Sequence, residues 1–136
     1  MTMAGMEVTA RTRLIRSRLL VELVDDELLN IRSLVDPRQA YLVSLPAAPA
    51  IDGLARATPL SRLCTLTWGI AFGSTSLPPQ ATVRFAMSSV RYRRSVVAVP
   101  QLLGKHAWIA DAEGDFNTAT LIVDGVETAR TALSQH

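Results

Sequence analysis

Residue types that build reactive centres are scarce in this chain. Of its 136 residues, one is cysteine and two are histidine. A single cysteine excludes an intrachain disulfide and a cysteine-based zinc cluster. Two histidines, of which His136 is the last residue, exclude a histidine-rich metal site. The sequence therefore predicts neither a bound metal nor a cofactor.

Charge and aromatic side chains are also sparse. Charged residues make up 19% of the chain, against an average of about 25%, and aromatic residues only 5%. Hydrophobic residues reach 49% and the mean hydropathy is +0.22. One copy of so apolar a chain is expected to leave apolar surface exposed, which contact between copies would bury. We therefore expect a homo-oligomer, each copy of which is a single domain, residues 1–136.

The sequence lacks long apolar runs. No segment approaches the roughly 18 apolar residues that span a bilayer, and the N-terminus lacks the apolar core, about 7–15 residues long, of a signal peptide. We therefore expect no membrane partner, and a cytoplasmic protein, or a virion component if it is a coat protein.

Lysine is nearly absent, and the basic residues other than Lys105 are arginines. Guanidinium groups match phosphate and carboxylate by their fork geometry. We predict contacts with RNA or DNA phosphates, or with neighbouring subunits, for two groups: Arg11, Arg13, Arg16 and Arg18, and Arg84, Arg91, Arg93 and Arg94. The alternative is a solvated face or ordinary ion pairs, and a net charge of +2 is too small to make the whole domain basic.

Residues 82–99, TVRFAMSSVRYRRSVVAV, form the longest run of strand-favouring residues. Apolar and polar residues alternate from Thr82 to Met87, as in a strand with one buried face. We predict one long bent strand at the centre of the sheet, with a bulge near Ser88-Ser89, because no glycine, asparagine or aspartate supplies a tight turn there.

The N-terminal region, residues 8–35, fits two interpretations. Leu20, Val24, Leu28, Ile31 and Val35 are spaced four, four, three and four residues apart, which predicts a helix over part of the region. Basic residues precede acidic ones, however, which is the wrong order for a helix dipole. The alternative is a strand over residues 9–24, a turn at Asp25-Asp26-Glu27 and a second strand over residues 28–35.

The remaining elements are assigned from turn residues and alternation. We predict strands at 40–45, 63–72, 106–110 and 118–123, and a loop with one helical turn at 46–59. Cys64 and both tryptophans are expected inside. Asp124-Gly125 favours a hairpin, against a C-terminal helix with Val126, Ala129 and Leu133 on one face. The predicted class is α+β: a single layer of mostly antiparallel sheet, covered by one or two helices or by a neighbouring subunit.

No motif indicates an enzyme. His106 has no orienting partner in sequence, and Asp111 and Glu113 are the nearest acidic candidates for a dispersed site. Asp111, Glu113, Asp115 and Asn117 have the spacing of EF-hand ligands. Phe116 and Ile122, however, occupy the required glycine and glutamate positions.

The sequence favours a non-catalytic structural subunit of a homo-oligomeric assembly, of the coat, shell or tail type found in viruses and phages. Two alternatives remain open: a β-rich module that binds a small ligand or a partner protein, and a small enzyme with a dispersed site near His106.

Overall fold

The computed structural model describes residues 7–36, 38–47, 50–74, 77–78, 80–89, 93–105 and 107–135. Within these ranges the chain forms thirteen strands in three sheets and no helix. The predicted α+β class is therefore wrong, and the protein is all-β. The described residues accordingly contain no helix that could cross a membrane.

Sheet 1 is an antiparallel meander made by the N-terminal region. Its strands, in spatial order, are β1 (Val8–Leu14), β2 (Leu19–Val24), β3 (Leu28–Ser33) and β4 (Ala40–Ser44). Asp25 and Asp26 both have positive φ, 52° and 55°, as a type I′ hairpin turn requires. The predicted helix is thus wrong. The alternative placed the Asp25-Asp26-Glu27 turn and the strand after it correctly, but missed the turn at residues 15–18.

Sheets 2 and 3 are built from hairpins that alternate between them along the chain. Sheet 2 contains β5 (Ile51–Pro59), β6 (Thr65–Gly73), β9 (Gln101–Leu103), β10 (Ala107–Glu113) and β13 (Ser134–Gln135), in the order β13-β5-β6-β10-β9. Sheet 3 contains β7 (Thr82–Ser88), β8 (Arg93–Ala98), β11 (Thr118–Val123) and β12 (Val126–Ala132), in the order β12-β11-β7-β8. Pairing is antiparallel except between β13 and β5.

Sheet 2 lies between the other two, so the protein has three layers and two hydrophobic cores. One core joins sheets 1 and 2 and contains Trp68, and the other joins sheets 2 and 3 and contains Trp108. Both tryptophans are buried, as predicted. The expected single layer of sheet is wrong, because a middle sheet takes up most of the apolar side chains.

The two faces of β6 differ in side-chain size. Leu66, Trp68, Ile70 and Phe72 pack towards sheet 1. Gly69, Ala71 and Gly73 lie on the opposite face, where Phe85 and Phe116 of the second core lie close to Gly69. The small residues make room for the large side chains of sheet 3.

Several predicted elements need correction. The run at 82–99 is not one bent strand at the centre of the sheet but the β7–β8 hairpin, in which Ser88 pairs with Arg93 and β8 is an edge. Residues 51–59 of the predicted loop are β5, and Cys64 is exposed in the turn before β6. The Asp124-Gly125 hairpin is confirmed, with φ of 53° and 76°, and the C-terminal helix is wrong.

Candidate functional site

The outer face of sheet 3 carries arginines in a defined row. In register, Arg84 of β7 lies between Val97 of β8 and Thr120 of β11, and Thr120 lies opposite Arg130 of β12. Thr120 is only 4% exposed although it faces outward, which indicates that the flanking arginine side chains lie over it. The arginine row therefore runs across all four strands.

Next to this row lies a shallow depression floored by small residues. The neighbouring row consists of Ser95, Ala86, Thr118 and Ala132. Beyond it, Arg93 lies opposite Ser88. We call this depression, between the arginine row and Arg93, the sheet 3 trough. Its open end near the β7–β8 hairpin encloses about 450 Å³, and its arginine walls are about 13 Å apart along the strands.

Arg130 reaches the trough because of a β-bulge in β12. Ile122 pairs with Glu127, but Leu121 pairs with Ala129, so Thr128 is an extra residue. If β12 paired regularly, with Thr128 opposite Leu121, Arg130 would lie opposite Ala119, on the face of sheet 3 that is buried against sheet 2. The bulge turns Arg130 to the outer face.

Most of the positive charge at the trough is uncompensated. Arg84 is ion-paired with Glu127. Arg93, Arg94 and Arg130 form no ion pair with the described residues. The Arg94 guanidinium carbon lies 5.8 Å from the ring centroid of Phe116 at the rim of the second core, a cation–π contact that leaves its polar edge accessible. Arg91 lies outside the described residues.

The N-terminal arginines lie on sheet 1 and in the turn that follows β1, and one of them is engaged by a carboxylate. On the outer face of sheet 1, Glu22 lies between Arg11 at 3.5 Å and Arg32 at 2.9 Å, and its side chain is only 10% exposed. Arg13 is exposed, and Arg16 and Arg18 are exposed in the turn between β1 and β2. Sheet 2 separates Arg11 and Arg13 from the arginines of sheet 3, but Arg16 lines a groove together with Val97 beside β8.

A second feature is an apolar patch beside the free edge of β8. Ile15, Val97, Val99 and Leu102 are 86%, 57%, 73% and 68% exposed. Val97, Val99 and Ile15 line one groove of about 260 Å³. Val99 and Leu102 line another of about 280 Å³. We call these four residues the apolar corner.

Strand β8 presents an unprotected edge at this corner. It is the last strand of sheet 3 and pairs with β7 alone among the described strands. Arg93 and Arg94 place charge at the start of the strand, and Arg94 lies on its inner face. Residues 95–98, SVVA, contain neither a charge nor a proline, so this part of the edge lacks the usual devices that block pairing with another chain.

Of the three predicted catalytic candidates, the structure describes Asp111 and Glu113. Asp111 is buried in β10, where its Oδ2 accepts hydrogen bonds from the backbone N–H and hydroxyl of Ser17 at 3.1 and 3.0 Å. This carboxylate therefore anchors the β1–β2 turn to sheet 2. Glu113 is exposed at the end of β10, and His106 lies outside the described residues. The described part of the chain contains no group of three or more potential metal ligands.

A buried series of side-chain hydrogen bonds was not predicted from the sequence. Trp68 donates from Nε1 to the Thr58 hydroxyl at 3.0 Å, and that hydroxyl donates to Gln39 Oε1 at 3.1 Å. These hydrogen bonds link sheets 1 and 2 within the first core. Because residues 51–59 were predicted as a loop, the sequence did not indicate that the Thr58 side chain lies in the core.

The pKa values of Tyr41 and Asp36 are both displaced from their ordinary values. Burial raises the pKa of Tyr41, against the opposing effect of the Arg56 guanidinium, which lies 5.5 Å from the tyrosine ring centroid. Hydrogen bonds from Arg38 lower the pKa of Asp36. Both are effects of local packing and pairing and do not indicate a reactive group.

No protein-family model, curated protein or solved structure matches this chain.

Proposed function

We propose that the protein is a non-catalytic structural subunit that assembles with copies of itself, and that β8 is the edge through which two copies pair. The observation that carries this proposal is the apolar corner beside an unpaired strand edge. Burying an exposed valine or leucine side chain contributes about 1.5–3 kcal/mol. Pairing of two β8 edges covers Val97 in each copy, beside the other exposed residues of the apolar corner, and a cluster of this kind supplies a driving force that isolated surface leucines do not.

The charges on β8 select the direction of pairing. A parallel arrangement would place Arg93 and Arg94 opposite the same residues of the second copy, which is unfavourable. An antiparallel arrangement centred on Ser95 places Arg93 opposite Val97 of the second copy, and Arg94 opposite its Val96. The aliphatic stem of Arg93 can then cover the exposed Val97 side chain.

The first test is the oligomeric state, measured by size-exclusion chromatography with light scattering. Val97→Lys introduces a charge at the proposed interface, and we expect it to shift the wild-type dimer or larger assembly towards monomer. The matched control is Leu42→Lys, because Leu42 is similarly exposed, at 54% against 57% for Val97, and lies on β4, an edge of sheet 1. A wild-type protein that stays monomeric at its highest soluble concentration would refute the proposal.

The second test reports the register. In a Cys64→Ser background, Ser95→Cys places two cysteines directly opposite each other at a Cα separation of about 4.5–5.5 Å, which suits a disulfide. Arg93→Cys is the control, because its two copies would lie four residues apart. Cross-linking of the Ser95→Cys variant alone supports the register, whereas equal cross-linking of both variants contradicts it.

A further inference from the structure

We infer that the sheet 3 trough binds the sugar–phosphate backbone of single-stranded nucleic acid. The inference rests on the outer face of sheet 3 in one copy, and it does not require the proposed pairing of β8. It assigns Arg93 and Arg130 as the principal phosphate contacts, and it separates them from the arginines of sheet 1.

The walls of the trough have the right chemistry and spacing. Arginines contact phosphate through charge-assisted, bidentate hydrogen bonds. Arg84 and Arg130 lie on one side of the small-residue row and Arg93 lies on the other. A strand running along that row has a guanidinium group on each side.

The floor is small and carries hydroxyl groups. Ser95 and Thr118 alternate with the methyl groups of Ala86 and Ala132, so a backbone can approach closely. The Thr118 hydroxyl donates to the Ala86 carbonyl at 3.4 Å, which leaves the Ser95 hydroxyl to donate to a phosphate or sugar oxygen. The trough crosses four strands, or about 14 Å, which is the length of about four stacked nucleotides. The floor has no aromatic residue on which a base could stack, so recognition is independent of base identity.

Charge on this face also favours a polyanion. The outward positions of its described strands include one acidic residue, Glu127, which already pairs with Arg84. On sheet 1, by contrast, Glu22 engages Arg11 and Arg32 together. Each outer face therefore carries three outward strand arginines and one glutamate. They differ in pairing: on sheet 3 both Arg93 and Arg130 lack an ion pair among the described residues, whereas on sheet 1 only Arg13 does.

The test is fluorescence anisotropy with a labelled ten-residue oligodeoxythymidylate and its oligouridylate equivalent. We compare wild type with Arg130→Ala, which removes a trough arginine far from β8, and with Arg13→Ala, which removes an exposed arginine of sheet 1 that has no ion pair within the described part of the chain. We expect Arg130→Ala to weaken binding about tenfold, the effect of one charge-assisted hydrogen bond, and Arg13→Ala to leave it within about twofold. Arg93→Ala should behave like Arg130→Ala.

Salt dependence gives a second readout that misfolding would not mimic. Each phosphate contact removed should lower the slope of log affinity against log salt by about 0.7 for a single strand. Thermal unfolding of each variant confirms that its fold is retained. Since Arg130 is remote from the β8 edge, loss of binding in Arg130→Ala with an unchanged oligomeric state distinguishes this inference from the proposed assembly.

Three outcomes would overturn the inference. Wild type could fail to bind the oligonucleotides at low salt, or Arg13→Ala could weaken binding as much as Arg130→Ala. Inorganic polyphosphate, heparin or duplex DNA could also bind as tightly as the single strand, which would show a general polyanion surface instead.

Discussion

At the scale of single residues, Gly73 shows how closely the second core is packed. A Cβ atom at this position would lie 2.6 Å from Nε1 and 2.9 Å from Cζ2 of the buried Trp108 ring. Since a buried ring has no free space to shift into, we expect Gly73→Ala to lower the free energy of unfolding by about 1–3 kcal/mol in urea denaturation.

A graded comparison is available at Gly69 on the same strand face. There the atom nearest to an added Cβ would be Cδ1 of Leu133 at 3.2 Å, the flexible end of a side chain that can move away. Gly69→Ala should therefore cost less than Gly73→Ala. The reverse order would show that Trp108 is not the constraint.

Tyr41 gives a prediction about pH. Burial raises its pKa above the ordinary value of 10.0, so the folded protein holds this proton more tightly than the unfolded chain does. The resulting stability is present below pH 10.0 and is lost as the pH rises through the raised pKa. We expect the urea midpoint of wild type to fall more steeply above this pH than that of Tyr41→Phe. Parallel profiles for the two proteins would rule out Tyr41 as the cause.

At the scale of the strand and turn, two hairpins can be compared although their connections differ in length: Val24 pairs with Leu28 across three residues, and Val123 pairs with Val126 across two. The β2–β3 turn uses Asp25-Asp26 and the β11–β12 turn uses Asp124-Gly125, each with positive φ at both central residues. Glycine adopts positive φ without steric cost, whereas aspartate does not. We expect Asp26→Gly to stabilise the protein by about 0.5–1 kcal/mol and Gly125→Asp to destabilise it by a similar amount.

The Asp26→Gly variant also loses a hydrogen bond from the Thr9 hydroxyl to Asp26, 2.9 Å long and exposed. Thermal unfolding of Thr9→Val measures that loss separately. If Asp26→Gly remains destabilised after this correction, the backbone argument is wrong for this turn.

Sequence reasoning succeeded where a local signal was unambiguous and failed where the signal depended on distant partners. Asp124-Gly125 predicted its hairpin because the turn residues alone determine the geometry. Residues 19–24 are apolar at nearly every position, so a helical spacing could be found in what is a strand. The β7–β8 connection contains no typical turn residue, which led to the prediction of one continuous strand.

The candidate site was predictable in part. Arg84 and Arg93 lie at the trough, and they were identified from the arginine-rich run alone. Arg130 was not identified, because a regular hairpin would point it inward and only the extra residue Thr128 reverses it. A bulge of this kind depends on how β11, β12 and β7 fit together, which the sequence of one hairpin does not show.

At the scale of the whole molecule, the shared middle sheet should make the two cores unfold together. Trp68 reports the first core and Trp108 the second. In Trp108→Phe and in Trp68→Phe, the fluorescence midpoint of the remaining tryptophan should coincide with the circular dichroism midpoint of that variant. Comparing two probes within each variant removes the effect of the substitution itself. Separate midpoints would mean that sheet 1 unfolds independently.

The number of sheet layers could not be predicted from the sequence, because it too depends on contacts between distant parts of the chain. The sequence of a strand buried on both faces, such as β6, cannot be distinguished from other short apolar runs. The high apolar content of the chain was therefore interpreted as surface that is buried between copies. Much of that apolar content is buried inside the chain by sheet 2. Of the nine large hydrophobic residues that are exposed among the described ones, four form the apolar corner.

The difference in size between the two faces of β6 has a consequence for how the chain finds its correct alignment. In most sheets, shifting a strand by one residue is unfavourable because it exposes apolar side chains to water. For β6 this penalty is absent, since both faces of the strand are buried. A shifted strand would instead force Trp68 and Phe72 into space shaped for glycine and leave voids behind them. In the interior of this protein, side-chain volume therefore fixes the register of β6, because polarity does not distinguish its two faces.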